Sequence, residues 1–184
     1  MLVYSGAATD FQHQQYEQLG QYRREVFIER LGWELNTRNG LELDQFDRPD
    51  TIYVVAKDHE GAVSGCARLL PTTRPYLLGE VFPQLLNGQS PPCSPDIWEI
   101  SRFAAVDLKA PVGSSSTAQA ESSVAVQVFQ KAIDCAASHG AKRLISVTWI
   151  SAERWLRKAG FNAHRAGPPM IINGHPLYAC WIDY

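Results

Sequence analysis

The chain has 184 residues, 45% apolar and 20% charged, and its 17 Lys and Arg against 19 Asp and Glu give a net charge of −2. That length suits one domain, residues 1–184, able to bury about 70% of its unfolded surface, and the composition excludes disorder. The near-neutral charge argues against a nucleic-acid partner, and no apolar run reaches the roughly 18 residues of a membrane span.

Residues 2–5 predict a short edge strand. Residues 10–31 then read as a helix, with Asp10 as cap, Tyr16, Leu19, Val26 and Phe27 at helical spacing, and Gly32 as stop. The β-branched run at 51–57, the turn DHEG and the run at 62–70 predict a hairpin. A short helix is expected over 80–86 and a strand over 97–106. Residues 107–120, rich in Gly and Ser, predict a mobile loop near the site. Val124, Val128, Ala132 and Cys135 form one stripe of a helix over 121–139. A buried strand over 143–150, a helix over 151–159 capped by Ser151 and ended by Gly160, a turn over 164–169 and a strand over 177–182 complete the chain. This order predicts a single-domain α/β sandwich with a mixed sheet.

Cys66, Cys93, Cys135 and Cys180 are widely spaced and form no C-x-x-C pair, and no histidine pair has ligand spacing. Free thiols in a reducing cytoplasm and no metal are therefore expected. The first fifteen residues lack a basic region and a long apolar core, so no secretory signal is expected there. G-x-G-x-x-G, P-loop and G-x-S-x-G motifs are absent.

Three stretches carry polar residues that a core would not need. In RREVFIERLGW, Arg23 and Phe27 are four apart on one helical face, and Trp33 follows the helix. In LELDQFDRPD, Asp44, Asp47 and Asp50 are spaced by three in a loop, a cluster able to hold a cation, orient an arginine or accept from an amine. In DIWEISRFA, strand alternation puts Glu99 and Ser101 on one face and Trp98, Ile100 and Arg102 on the other. Buried charges there need partners, and Glu99, Arg68 and Arg102 are candidates to offset one another.

Taken in order, R-x-x-x-F-x-x-x-x-x-W, E-x-D-x-x-D, GCARLLPTTRPY, WEISRFA and the tail AHRAGPP resemble the acyl-homoserine-lactone synthases, the LuxI-type quorum-sensing signal synthases, over nearly the whole chain. The chain stops at Tyr184, earlier than most members, which leaves room for a further C-terminal piece. The resemblance implies a fold like the GCN5-related N-acetyltransferases, with a gap between parallel strands. It implies no cofactor and two substrates, S-adenosylmethionine and an acyl group on acyl carrier protein, with acyl-CoA used by some relatives. The family's functional positions fall on Arg23, Phe27, Trp33, Asp44, Asp47, Arg68, Glu99, Ser101 and Arg102, and all of these but Ser101 are expected to line one cleft. Within that set Glu99, Ser101, Arg23 and Arg102 are expected to be catalytic, with Glu99 the candidate base. Phe27, Trp33, Asp44, Asp47 and Arg68 are expected to bind substrate, with Thr148 and Trp149 beside the acyl chain. Thr148 matches a position linked to 3-oxo chains, which leaves the C3 substituent open. Lys142, Arg143, Arg154, Arg157 and Lys158 form a basic patch for an acidic carrier protein, in a stretch (131–165) of net charge +5. The competing readings are an acyl-CoA N-acyltransferase of the same fold, whose R/Q-x-x-G-x-G/A loop is missing here, and a non-catalytic signal-binding module, which would not need these charges.

Overall fold

A computed structural model describes residues 1–109 and 123–184. The mobile loop expected over 107–120 lies mostly outside them. The chain forms an α/β fold whose contacts divide it into two compact units, Met1–Arg68 with Arg102–Ala132 and Leu69–Ser101 with Ile133–Tyr184.

In the first unit, β1 (Leu2–Ala7) runs antiparallel to β4 (Ile52–Lys57), with Leu2 opposite Lys57 and Ala7 opposite Ile52. β4 is buried along all of its length but Lys57. It joins β5 (Val63–Pro71) through the expected turn. There the Asp58 carboxylate accepts the Glu60 and Ala62 N–H groups, and Gly61 takes φ +84°. Helix α1 spans His13–Arg23 and continues as a π-helical segment over Arg24–Arg30. Asp10 does not cap it: its carboxylate accepts the Ala7 N–H at 2.8 Å in a separate 3₁₀ turn, and Gln15 receives the Gln12 N–H that opens α1. Leu19, Tyr22, Val26 and Phe27 bury the inner face of this helix against Tyr53, Val55, Cys66 and Ala104.

A small hairpin decides where the acidic loop lies. β2 (Thr37–Arg38) and β3 (Leu41–Glu42) are joined by Asn39 and Gly40, both at positive φ, as a two-residue turn with primed geometry requires. β3 presses on α1 at Gly20, where a Cβ would stand 2.9 Å from that of Leu41. A side chain there would push the hairpin, and Glu42 with it, away from Arg23.

The second unit holds β6 (Ile97–Ala104) as far as Ser101; there β6 pairs in parallel with β7 (Arg143–Trp149), Glu99 opposite Ile145, and β10 (His175–Asp183) runs antiparallel to β7. The sheet is therefore mixed, as expected. β8 (Asn162–Arg165) and β9 (Met170–Ile172) both pair with β10. The turn expected over 164–169 thus begins inside a strand. Asn173–Gly174, again both at positive φ, closes the β9–β10 hairpin. Helix α2 (Leu77–Val81) and a 3₁₀ turn (Pro83–Leu86) stand where one short helix was expected. Helix α3 (Ser123–Ser138) supplies residues to both units, and α4 (Ile150–Lys158) follows β7. The N-cap of α4 is Trp149, not Ser151, and Gly160 ends the turn beyond it at φ +89°.

Candidate functional site

Three guanidinium groups and three carboxylates interlock in the first unit. Arg23, at the end of α1, donates from Nε to Glu42 Oε2 at 2.6 Å and grips Asp47 with Nη1 and Nη2 at 2.7 and 3.0 Å. Arg68 on β5 donates from Nη1 to Asp44 Oδ1 at 2.6 Å and lies 3.2 Å from Asp47 Oδ1. Arg102 on β6 donates from Nε and Nη2 to Glu42 Oε1 at 3.1 and 2.9 Å, and from Nη2 to Asp44 Oδ2 at 3.0 Å. The two-pronged Arg23–Asp47 contact is the strong, directional form of such pairs.

The acidic loop is organised for this task. Asp47 accepts the Asp44 N–H at 2.7 Å and the Tyr53 hydroxyl at 2.6 Å, while Asp44 accepts the Phe46 N–H at 2.8 Å. Thr51 ties the loop back by donating to Phe46 O. Asp50 is exposed, 3.6 Å from Arg48 Nε.

The charges sustain one another. Burial works against ionised Asp47 and Glu42, but the arginines outweigh it and hold both carboxyls below their ordinary range, Asp47 far below. Burial likewise opposes the Arg23 charge, yet Asp47 and Glu42 keep its pKa above the usual arginine value. Burial, with Asp47 beside it, pushes the Tyr53 hydroxyl up, so it remains a donor. Burial pushes the Cys66 thiol up to about 12. Cys66 donates to the Arg102 carbonyl at 3.2 Å.

Arg102 sits at φ +52°, a left-handed conformation uncommon for a side chain of this size. The extended backbone that strict alternation along β6 assumes therefore stops at Arg102. Such strain persists only where surrounding contacts over-determine it, and here Glu42, Asp44 and Cys66 do so. The Arg102 guanidinium also lies 5.7 Å over the Phe27 ring, which stacks on Trp33 at 4.9 Å and 22°. The π-helical segment carries Phe27, and Trp33 is fixed by its own N–H bond to Phe27 O at 2.9 Å.

So Arg23, Phe27, Trp33, Asp44, Asp47, Arg68 and Arg102 come together. Sequence reasoning gave no role to Glu42, Tyr53 or Cys66. Glu42 stood in the E-x-D-x-x-D motif, and the Asn39–Gly40 turn before it is the signal that could have placed it.

Glu99 and Ser101 belong to the second unit and are buried. The Glu99 carboxylate accepts the N–H groups of Leu77 and Leu78 at 3.2 and 2.6 Å, at the start of α2. On β7, Thr148 lies opposite Tyr178 of β10, and Trp149 meets the His175 ring edge-on at 4.9 Å. Of the basic patch, Lys142 pairs with Asp96 and Arg143 with Asp183, the Arg143 guanidinium also 3.9 Å over Trp181. Arg157 pairs with Glu153 at 3.0 Å and donates to Ala163 O. Arg154, Arg157 and Lys158 are all exposed on α4, and Arg154 has no ion pair among the described residues. Among those residues no group of His, Cys, Asp and Glu is placed to hold a metal ion, and no helix is long and apolar enough to cross a membrane.

Residues 8–184 match the family model described as autoinducer synthase. An acyl-homoserine-lactone synthase of Acinetobacter nosocomialis is 54% identical over 183 residues, covering all of both chains. Among solved structures, TofI in a ternary complex with an inhibitor and MTA superposes with TM-score 0.85 at 46% identity, over 100% of this chain and 91% of that one. The CoA-dependent acyl-homoserine lactone synthase BjaI, bound to SAM and isopentyl-CoA, gives TM-score 0.85 at 26% identity, over 98% of this chain and 82% of that one. An acyl-CoA N-acyltransferase from Pseudomonas aeruginosa, at 17% identity and TM-score 0.63 over 97% of each chain, shares the fold alone.

Proposed function

The chain belongs to the autoinducer synthase family and is an acyltransferase of the acyl-homoserine-lactone synthase kind, and on that premise we propose that it joins the amine of S-adenosylmethionine to an acyl group delivered on acyl carrier protein. The amine nitrogen attacks the thioester carbonyl, the carrier thiol leaves, and an amide forms. A carboxylate oxygen of the same molecule then attacks its γ-carbon, the carbon–sulfur bond breaks, and methylthioadenosine leaves as a neutral product. The remaining molecule is the N-acyl-homoserine lactone.

The buried cluster of Arg23, Arg68 and Arg102 with Glu42, Asp44 and Asp47 carries this reading. A substrate bearing a carboxylate, an amine and a sulfonium needs both signs of charge at fixed positions. Arg102 is the most open guanidinium, with its side chain 6% exposed, and Asp44 the most open carboxylate, at 17%. These two suit the substrate carboxylate and its cationic side. Arg23, 1% exposed and engaged through all three nitrogens, positions the others. The Phe27–Trp33 stack offers an aromatic face to adenosine or the sulfonium.

Orientation supplies most of the rate. A free α-amine has a pKa near 7.7–8.0, so roughly a tenth is neutral at pH 7. A general base adds about 10²–10⁴, whereas alignment is worth about 7–11 kcal/mol. Glu99 is the proposed proton acceptor, directly or through one water, its carboxylate oriented by the Leu77 and Leu78 N–H groups. Ser101 neighbours it two positions along β6, and a backbone N–H of that strand is the proposed oxyanion donor. Thr148 and Trp149 are proposed to border the acyl chain.

The exposed cations of α4 support a carrier-protein donor, since such partners are acidic. BjaI makes acyl-CoA the alternative. The test supplies purified protein and S-adenosylmethionine with matched acyl-carrier protein and acyl-CoA series. Mass spectrometry should find N-acyl-homoserine lactone and methylthioadenosine in equal amounts, with kcat/KM higher for the carrier-bound donors. Absence of both products with every donor would refute the reading, and preference for acyl-CoA would refute the choice of donor.

A further inference from the structure

Glu42 is wholly buried, at 0% exposure, and touches two arginines at once. Its Oε2 takes Arg23 Nε at 2.6 Å, and its Oε1 takes Arg102 Nε and Nη2 at 3.1 and 2.9 Å. Arg102 Nη2 is further held by Asp44 at 3.0 Å. Nη1 of Arg102 makes no hydrogen bond among the described residues. Arg102 therefore has one edge locked and one edge available, and Glu42 does most of the locking.

The geometry points to Glu42 as a positioning residue that holds Arg102 by Nε and Nη2 so that Nη1 meets the carboxylate of S-adenosylmethionine. This deepens the proposed function and rests on it. The physical argument is one of donors and acceptors. Both arginines only donate, so the group between them must accept on both sides, and a carboxylate alone does so. Glutamine offers one acceptor and one NH₂. In Glu42→Gln, one arginine faces a donor and loses its partner. Arg23 keeps Asp47 through two nitrogens, so Arg102 is the one that shifts, toward Asp44, and its free edge turns with it. Aspartate keeps the charge but is one methylene shorter, so Glu42→Asp cannot span both guanidinium groups.

Methylthioadenosine makes the test specific, because it keeps the adenosine and sulfur of S-adenosylmethionine without the carboxylate or the amine. Calorimetric Kd values for both ligands are to be compared in the wild type, Glu42→Gln and Glu42→Asp, each first shown to melt cooperatively. The expected result is at least a tenfold weaker Kd for S-adenosylmethionine with methylthioadenosine changed less than threefold. KM for S-adenosylmethionine should rise in step, while KM for the acyl donor holds within threefold. Equal weakening of both ligands would reduce Glu42 to a structural support and overturn the proposal, as would no change in either. Glu42→Asp preserves the charge balance and so carries the comparison should Glu42→Gln fail to fold. A wild type that binds neither ligand would instead overturn the proposed function.

Discussion

Asp47 shows how much one carboxylate can organise. It receives both terminal nitrogens of Arg23, the Tyr53 hydroxyl and the Asp44 N–H. Tyr53→Phe removes one donor of several, and the acceptor stays satisfied, so the expected cost is about 1 kcal/mol in urea unfolding with little loss of activity. Arg68→Met is different in kind. It leaves Asp44 and Asp47 short of a buried counter-charge, and breaking such a pair from one side costs about 3–5 kcal/mol. A single-domain stability of 5–15 kcal/mol makes that visible as a large fall in melting temperature. Acid should reach the same cluster. Because Glu42 and Asp47 titrate below their ordinary range in the folded chain, they contribute stability that is complete above the unfolded values near 4 and is lost as pH falls through the folded ones. Melting temperature should therefore drop progressively below about pH 4.5, and a profile flat down to pH 3 would contradict the assignment.

On helix α4 the cations proposed to dock a carrier protein differ in what else they hold. Arg157 spans Glu153 and Ala163 O, and Arg165 of β8 joins the same Glu153 at 2.7 Å, so Arg157 ties α4 to β8. Arg154 carries no such duty. Arg154→Glu is expected to raise KM for acyl-carrier protein several-fold at unchanged melting temperature, while Arg157→Glu should do so and also destabilise the helix by about 1 kcal/mol. Steady-state kinetics beside thermal melts checks both.

The same contrast explains what the sequence made legible. Elements with strong periodicity, such as the 123–138 helix and the strands at 52–57 and 143–149, were readable because burial on one face or both imposes the pattern. Caps and joints were not. Asp10 and Ser151 have the right chemistry for helix starts, but Ala7 and the strand end at Trp149 set the geometry instead. The left-handed Arg102 carries no local sign either: nothing in ISRFA separates a straight strand from one with a left-handed residue whose side chain and carbonyl are held by Glu42 and Cys66. Resemblance supplied five of the six charged members of the cluster, all but Glu42, and only the structure showed who holds whom.

Over the entire chain, charge is distributed unevenly, with net −5 over residues 1–60 and +5 over residues 131–165. Individual exposed pairs are weak, about 0–1 kcal/mol each, but several acting together steer the approach of an acidic partner. Screening shortens from about 10 Å at 0.1 M salt to about 3 Å at 1 M. KM for acyl-carrier protein should therefore climb with salt, while KM for S-adenosylmethionine, proposed to meet a buried cluster, should move far less. Parallel rises in both, or no rise in the first, would place the carrier site elsewhere.

The three-against-three cluster also constrains how such a sequence can drift. Replacing any one member with a neutral residue strands an odd charge inside the protein, and the penalty of about 3–5 kcal/mol is a large share of the stability a lineage has to lose. Single steps away are thus disfavoured whether or not the changed residue ever meets a substrate. Departures should arrive as coupled pairs, one arginine with one acid. Glu42 is then inherited under the same constraint as Arg102, and a descendant that dispensed with one would be found to have dispensed with the other.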